Sequence, residues 1–397
     1  MSFRFIFSTL LTSDNEISLL LNTCCICSIV SSIFDLNSFC FLNTVNEWGG
    51  GEKWHLETAS YLHAKGHAVI VIAQLDSVLS KRASAAGITV HSVKLSNLSI
   101  LNPFLINSLV RVLKKNRVES IVLNLSRDLK CGGVAAKIAG VKNIIFRRGS
   151  DRPVRNYFIN RLIYQKVISY VLTNSQATKN AILSNGVSLV SPDKISVIPN
   201  GIDTAAYINK SYNPVRDKKD SVFTIAALGR LVKQKNFEFL IPVALSLKKR
   251  GITFRILIGG EGTQEEQLKS MVTENNLEKE IEFLGFLDNP KDLLMSVDIF
   301  LLPSLWEGFG YVLAEASLCT LPIVAFDISS NGEVVDKSSG FLTPPHQVRP
   351  FCDKIEYLFL NPEKRIEMGQ AGRKFVKKNF EASQIFERTE AYLKRGN

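Results

Sequence analysis

The feature that most narrows what this chain can fold into is a rhythm. Short apolar runs alternate with stretches of helical spacing, and the series runs twice. It opens on an apolar run at 39–45, broken by Trp48-Gly49-Gly50-Gly51. A helix over 52–65 follows, with Trp54, Ala59 and Leu62 at helical spacing and Gly66 as its stop. The pattern then predicts strands at 68–73, 119–125, 143–146, 169–173 and 194–198. Helices are expected at 103–115, 132–139, 155–166 and 176–184. Pro199-Asn200-Gly201 supplies a turn, and the polar stretch 209–220 reads as a linker. The second series places strands at 222–228, 253–258, 281–284, 299–302 and 323–326. Its helices fall at 237–249, 264–275, 290–296 and 311–318. Pro242 inside one of these predicts a kink or a misplaced helix start. Strands alternating with helices imply parallel sheets covered on both faces, an α/β chain of doubly wound units. Two such units leave a cleft at the carboxyl ends of their strands, where ligands bind.

The length agrees, since 397 residues suit two domains. The expected division is 38–205 and 206–379, with a final helix over 380–393 crossing back to the first unit. The 46% hydrophobic and 21% charged composition excludes collagen-like, disulfide-rich and wholly disordered chains. Residues 1–37 stand apart. No charged side chain lies between Glu16 and Asp35, but asparagine, threonine and serines dilute the apolar run, and acids precede it. We expect an appended or misassigned extension there rather than a membrane anchor. Seven cysteines, with no paired CxxC elements, support neither a disulfide framework nor a zinc site, so a reducing cytoplasm is the expected setting.

The net charge is +11, and its distribution is uneven. Residues 101–180 hold fifteen Lys/Arg against Glu119, Asp128 and Asp151, so this segment alone carries +12. Such a run is either a solvated surface or the mark of an anionic partner. Arg147, Arg148 and Arg152 follow on a predicted strand and are the candidates to hold an anionic ligand.

Three motifs in the second half carry chemistry. Gly229-Arg230-Leu231-Val232-Lys233-Gln234-Lys235 leaves a strand end, offering a guanidinium fork and an ammonium to one diphosphate. Alone, it would read as two solvated bases. Pro303-Ser304-Leu305-Trp306-Glu307-Gly308-Phe309-Gly310 runs from strand through glycine loop to helix, presenting free amides to an anion. Glu307 and Glu315 flank that loop, and carboxylates accept hydrogen bonds from vicinal sugar hydroxyls. The third, Gly259-Gly260-Glu261-Gly262, is weak by itself.

Taken in order, the set resembles the family 4 glycosyltransferases, retaining nucleotide-sugar enzymes of the GT-B fold. The matching elements are Gly49-Gly50-Gly51-Glu52, Ile198-Pro199-Asn200-Gly201-Ile202-Asp203, Gly229-Arg230 with Lys235, Gly260-Glu261-Gly262, and 303–310 with Glu315-Ala316, followed by Pro322 and Glu333. They span roughly 38–395. The resemblance implies two Rossmann-like domains facing across a cleft. It implies that Arg230 and Lys235 bind the donor diphosphate and stabilise the leaving nucleotide. Glu307 would contact the transferred sugar, with the backbone of Gly308, Phe309 and Gly310. Glu315 would hold the ribose, and Gly50 and Gly51 would face the phosphates from the other domain. Arg230, Lys235 and Glu307 are thus the expected catalytic group. No metal or other cofactor is implied, in keeping with the absence of any Asp-x-Asp.

Three departures stand out. Arg147-Arg148-Gly149 occupies a place where many members carry histidine. Thr320 stands at a usual glycine, and Ser329-Ser330 at a usual glycine pair. The five histidines match no catalytic position; His63 and His67, separated by Gly66, are expected on the surface.

The expected activity is transfer of a sugar to a surface-glycan or lipid-linked acceptor, of lipopolysaccharide or capsule type, at the inner face of the cytoplasmic membrane. The basic first domain would meet anionic membrane or an anionic acceptor, with Arg147, Arg148 and Arg152 as the expected acceptor contacts. A non-catalytic carbohydrate- or nucleic-acid-binding protein and a nucleotide-sugar epimerase are the alternatives. Sparse stacking aromatics in 101–180 argue against nucleic acid. The sugar, the base, the acceptor and the linkage are not encoded by any general pattern.

Overall fold

The computed structural model describes residues 36–155, 157–184, 189–216 and 222–395. The expectation for the N-terminal extension therefore falls almost wholly outside the described residues. Two parallel sheets organise the rest. The first runs β3-β2-β1-β4-β5-β6-β7 and the second β10-β9-β8-β11-β12-β13, with every strand pair parallel. The strands of the first are β1 Ser38–Asn43, β2 Ala68–Gln74, β3 Thr89–Val93, β4 Ser120–Leu123, β5 Asn143–Arg148, β6 Tyr170–Thr173 and β7 Ile195–Val197. Those of the second are β8 Phe223–Leu228, β9 Phe254–Gly259, β10 Ile281–Gly285, β11 Ile299–Leu302, β12 Ile323–Phe326 and β13 Gly340–Thr343.

Period-2 alternation explains why both faces are covered. Along β1, Phe39 and Phe41 enter one core with Val71, Val122 and Ile145, while Cys40 and Leu42 enter the opposite core with Ile72, Ile121 and Leu123. Each fully buried large apolar side chain contributes about 1.5–3 kcal/mol. β3, reading Thr-Val-His-Ser-Val, is too polar to declare itself in sequence, and it lies at an edge. The helices Val348–Leu360 and Pro362–Asn379 were likewise not anticipated. Pro242 causes no kink: a 3-10 turn at Phe237–Phe239 precedes a helix that starts at Leu240. The proline therefore sits in the first turn, where no amide partner is lost.

The order of strands reverses beside β1 in the first sheet and beside β8 in the second, so each sheet has a switch point. The chain passes between the two halves at 198–204 and again at 380–382, side by side. Ile202 N donates to Phe380 O at 2.8 Å and Ala382 N to Ile202 O at 3.0 Å. The final helix, Ala382–Leu393, lies against the Gly50–Ala64 helix. Its Ile385, Tyr392 and Leu393 complete the apolar core of the first sheet. Tyr392 Oη donates to Val171 O at 2.9 Å, and Ser120 Oγ to Leu393 O at 2.8 Å.

Both departures from glycine sit where backbone strain is stored. Thr320 has φ +59° just beyond the Tyr311–Leu318 helix, and Ser329 has φ +48°. His67 is corrected from surface to interior, being 5% exposed. Asn37 N donates to its Nδ1 at 3.2 Å, so Nε2 carries the hydrogen directed at Glu390 Oε1, 3.1 Å away.

Candidate functional site

The loops that follow β8 and β11 leave neighbouring strands at a switch point, which brings residues 72 apart in sequence into contact. Lys235 Nζ lies 2.6 Å from Glu307 Oε1, both largely buried. Gln234 Nε2 donates to Trp306 O at 2.9 Å, and Leu305 N to Gln234 O at 2.8 Å, clamping the two loops together. The glycine loop after β9 joins them: Gly229 N donates to Gly259 O and Leu231 N to Glu261 O. A side chain on Gly260 would start 2.0 Å from Gly229 O, so this approach of backbones requires glycine. Arg230 stands apart from the pair. It is exposed, and Nη1 reaches Glu47 Oε2 of the first half at 3.3 Å.

The loop beyond Glu307 touches the other half. A Cβ on Gly308 would fall 1.8 Å from Gly149 O. Phe309 is buried edge-on against Tyr311 and Phe380, and Gly310, with φ +74°, caps the Tyr311–Leu318 helix. On that helix Glu315 pairs with Lys53 of the first half at 3.4 Å. Lys53 Nζ also lies 4.5 Å over the Tyr311 ring. Nearby Glu57 has its carboxyl pushed up to about 7 by burial, with Glu315 and Asp203 adding to the effect and Lys53 opposing it. Glu333 accepts from Gln176 N at 2.8 Å and Ala177 N at 3.0 Å, at the start of the Gln176–Leu183 helix.

The expected Gly49–Gly51 loop is corrected to a helix start. Gly49 is the N-cap and Gly50 and Gly51 form the first turn of Gly50–Ala64. The Tyr311 ring sits 3.2 Å from where a Cβ on Gly50 would be, and Asn124 and Arg147 lie against Gly51. The carboxylate of Glu52, one residue on, accepts from Asn43 Nδ2 at 3.0 Å and Asn124 Nδ2 at 3.4 Å.

The three arginines grouped as acceptor contacts do not form one cluster. β5 extends through Arg148, so Arg147 and Arg148 point to opposite faces. Arg147 is 2% exposed; Nη2 donates to Asn200 Oδ1 at 3.0 Å and the guanidinium stacks 4.5 Å from the Trp54 ring. Burial pushes it down to about 10, with Tyr311 and Glu52 opposing. Arg148 donates to the carbonyl of Arg152, and burial lowers its pKa despite Tyr164 and Asp151. Arg152 is exposed and stacks 3.9 Å over Trp306, while Asp151 accepts from Ser329. Residues 149–152 thus pack on the loops that follow β11 and β12.

Sequence reasoning missed Lys53, Glu57, Tyr311, Trp306 and the buried His55. Burial and the Arg147 charge push His55 down to about 3, so it is neutral, its Nδ1 donating to Gly51 O at 2.9 Å. The one available signal was their closeness in sequence to motif glycines.

Comparison with known proteins places the chain in a family and a fold. Residues 48–206 match the model described as Glycosyltransferase Family 4, and residues 210–375 that of Glycosyl transferases group 1. The chain is 31% identical over 165 residues to the putative glycosyltransferase EpsF of Bacillus subtilis (strain 168), covering 40% of this chain and 42% of that one. It is 27% identical over 267 residues to the UDP-Gal:alpha-D-GlcNAc-diphosphoundecaprenol alpha-1,3-galactosyltransferase of Escherichia coli, covering 62% and 68%. The match to the first of these relatives thus spans less than half of its length. Among solved structures, Anabaena Alr3699/HepE in complex with UDP superposes with a TM-score of 0.77 at 21% identity, over 90% of this chain and 99% of that one. A glycosyltransferase from Rickettsia africae ESF-5 gives 0.79 at 19%, over 91% and 100%. The chain belongs to the family 4 glycosyltransferases and has their two-domain GT-B fold.

Proposed function

We propose that the chain moves a sugar, with retention of anomeric configuration, from a nucleoside-diphosphate donor to a hydroxyl of a lipid-linked or surface-polysaccharide acceptor. The observation that carries this reading is the meeting of Lys235 and Glu307 at adjoining strand ends, with Arg230 on the same loop as Lys235. In this reading Lys235 and Arg230 neutralise the departing diphosphate, Glu307 and the amides around Gly308 orient the sugar, and Glu315 takes the ribose. The acceptor oxygen bonds to the anomeric carbon on the face from which the diphosphate leaves. The bond from that carbon to the phosphate oxygen breaks, and the hydroxyl proton passes to the phosphate. The protein's part is positioning and charge stabilisation, assigned to side chains and backbone amides rather than to a metal. UDP is the nucleotide named in several solved neighbours, which supports a uridine donor.

The relatives that name diphospho-undecaprenol acceptors support a lipid-linked substrate here. No helix among the described residues is long and apolar enough to cross a membrane. Peripheral docking is supported by Leu98, Leu101, Phe104 and Phe158, each at least 69% exposed, beside the exposed bases Arg111, Lys115, Arg155 and Arg161. The helices Pro103–Lys115 and Phe158–Lys166 flank the Ser126–Ala139 helix on one side of the first sheet.

The test is a nucleotide-release assay over a panel of nucleotide sugars, with and without polyprenyl-diphosphate-linked acceptors. Release that depends on acceptor and disappears in Glu307→Ala supports the reading. Absence of turnover and of nucleotide binding across the panel overturns it. Co-sedimentation with phosphatidylglycerol vesicles but not phosphatidylcholine vesicles tests the docking.

A further inference from the structure

Arg147 is a buried cation that faces the Trp54 ring, 4.5 Å away, and a neutral amide but no carboxylate. At 2% exposure, among the described residues it forms no ion pair and makes one hydrogen bond, to the neutral amide of Asn200. A guanidinium carries five donors, and burying one without a carboxylate is costly. The acid that acts on it, Glu52, stands beyond ion-pair distance with one oxygen engaged by Asn43 and Asn124.

The position of the group makes the imbalance larger. Nη1 lies 3.7 Å from where a Cβ on Gly51 would be and 3.0 Å from the corresponding point on Gly149. It is therefore held between two glycines, beside the first turn of a 15-residue helix whose N-cap, Gly49, has no side chain to satisfy the leading amides. On the other side of Gly50 stands Tyr311, whose hydroxyl is buried and has no hydrogen-bond partner among the described residues. The helix start thus meets the guanidinium at Gly51 and the edge of the Tyr311 ring, which carries the unsatisfied hydroxyl, at Gly50. Beyond Gly149 the next contact is Gly308, the neighbour of Glu307.

We infer that Arg147, with the Gly50–Gly51 helix start, is an oxyanion site whose ligand is the diphosphate of the sugar donor. This rests on the nucleotide-sugar reading above and moves Arg147 from the acceptor to the donor. The diphosphate then receives positive charge from both halves: Arg230 and Lys235 from one, Arg147 from the other. Only the closed arrangement, in which Gly149 meets Gly308, supplies all three. Arg148, on the opposite face of β5, takes no part.

The experiment is calorimetry of the wild-type chain, Arg147→Met, Arg147→Lys and Arg230→Ala. Ligands are uridine, UDP and the nucleoside diphosphate that binds best in a panel including GDP, ADP and dTDP. Thermal unfolding is followed without ligand. Arg147→Met is expected to weaken diphosphate binding about 10- to 100-fold, the loss of one charge-assisted contact, and to leave uridine unchanged. Arg147→Lys should recover part of the loss. The ligand-free melting temperature should stay level or rise, since a buried, unpaired charge has been removed. Diphosphate affinity unchanged within twofold in Arg147→Met overturns the inference. So does a fall in ligand-free melting temperature with equal weakening of uridine and diphosphate, which marks a purely structural arginine. UDP-glucose and UDP-glucuronate distinguish the other source of an oxyanion. Loss confined to the glucuronate donor assigns Arg147 to a sugar carboxylate and overturns the diphosphate assignment. If Arg230→Ala weakens binding and Arg147→Met does not, this inference alone fails. If neither matters, or nothing in the panel binds, the reading beneath it fails as well.

Discussion

Lys235 Nζ lies 2.6 Å from Glu307 Oε1, with the two side chains only 14% and 7% exposed, so the cation and carboxylate assigned to opposite parts of the donor neutralise each other. Removing one member of such a pair strands the other. Glu307→Gln and Lys235→Met should each cost about 3 kcal/mol of stability by denaturant unfolding, and the double variant clearly less than their sum. Turnover in each single variant should fall about 100-fold or more. Additive stability losses would show that the pair is not coupled.

A Cβ on Gly308 would fall 1.8 Å from the carbonyl oxygen of Gly149. Gly308→Ala should therefore hold the halves apart while leaving each apolar core intact. Expected are a turnover loss of about 100-fold and a larger radius of gyration by small-angle scattering. A variant as compact and active as wild type would refute the close approach.

Glu390 ties the last helix to the first half through Lys65 at 2.7 Å and His67 at 3.1 Å, and pairs along its own helix with Lys394 at 2.8 Å. Partial burial opposes ionisation, but the bonds from Lys394, Lys65 and His67 win, and the carboxyl is held at about 2. A depressed carboxyl stabilises the fold above its ordinary value of 4.5, and the gain is lost as pH falls toward about 2. Glu390→Gln should lower the melting temperature at pH 7, by about 1–3 kcal/mol in stability. The gap to wild type should close between pH 4.5 and pH 2.

Glu57 has the opposite sign. Burial first, and then Glu315 and Asp203, raise its carboxyl from 4.5 to about 7 despite Lys53. Its contribution is therefore complete below 4.5 and lost as pH rises through 7. Glu57→Gln should melt higher than wild type at pH 8 and show no advantage at pH 4. Equal pH profiles for the two proteins would refute the shift.

Thr320 holds φ +59° just beyond the Tyr311–Leu318 helix. Thr320→Gly relieves a β-branched residue in the left-handed region and should stabilise by about 1 kcal/mol, less the bond from Oγ1 to Cys319 O. Denaturant midpoints with unchanged m-values would measure it.

Much of the fold was legible because its signals are local. The runs that became β1, β5, β8 and β11 are apolar on both faces, as buried parallel strands must be, and glycine followed several of them. β3 escaped because an edge strand half in water keeps polar residues and loses the pattern. The first turn at Gly50–Gly51 was read as a loop, since glycine is a poor helix former where no ligand or neighbour demands close backbone approach. The surface assignment of His67 failed for another reason: its partner, Glu390, lies 323 residues away.

By itself the sequence determined two parallel α/β units, the strand ends at which function must sit, and the kind of chemistry that Arg230, Lys235, Glu307 and Glu315 can perform. Period, glycine placement and residue type are all carried within a few neighbours. Tertiary structure alone decided how these groups pair. Strand order put Lys235 beside Glu307, and closure set Lys53 on Glu315 and Gly149 on Gly308. The pleat turned Arg147 inward and Arg148 away. Such contacts join residues tens to hundreds of positions apart, and no local preference records which of two adjacent arginines will be left inside without a carboxylate.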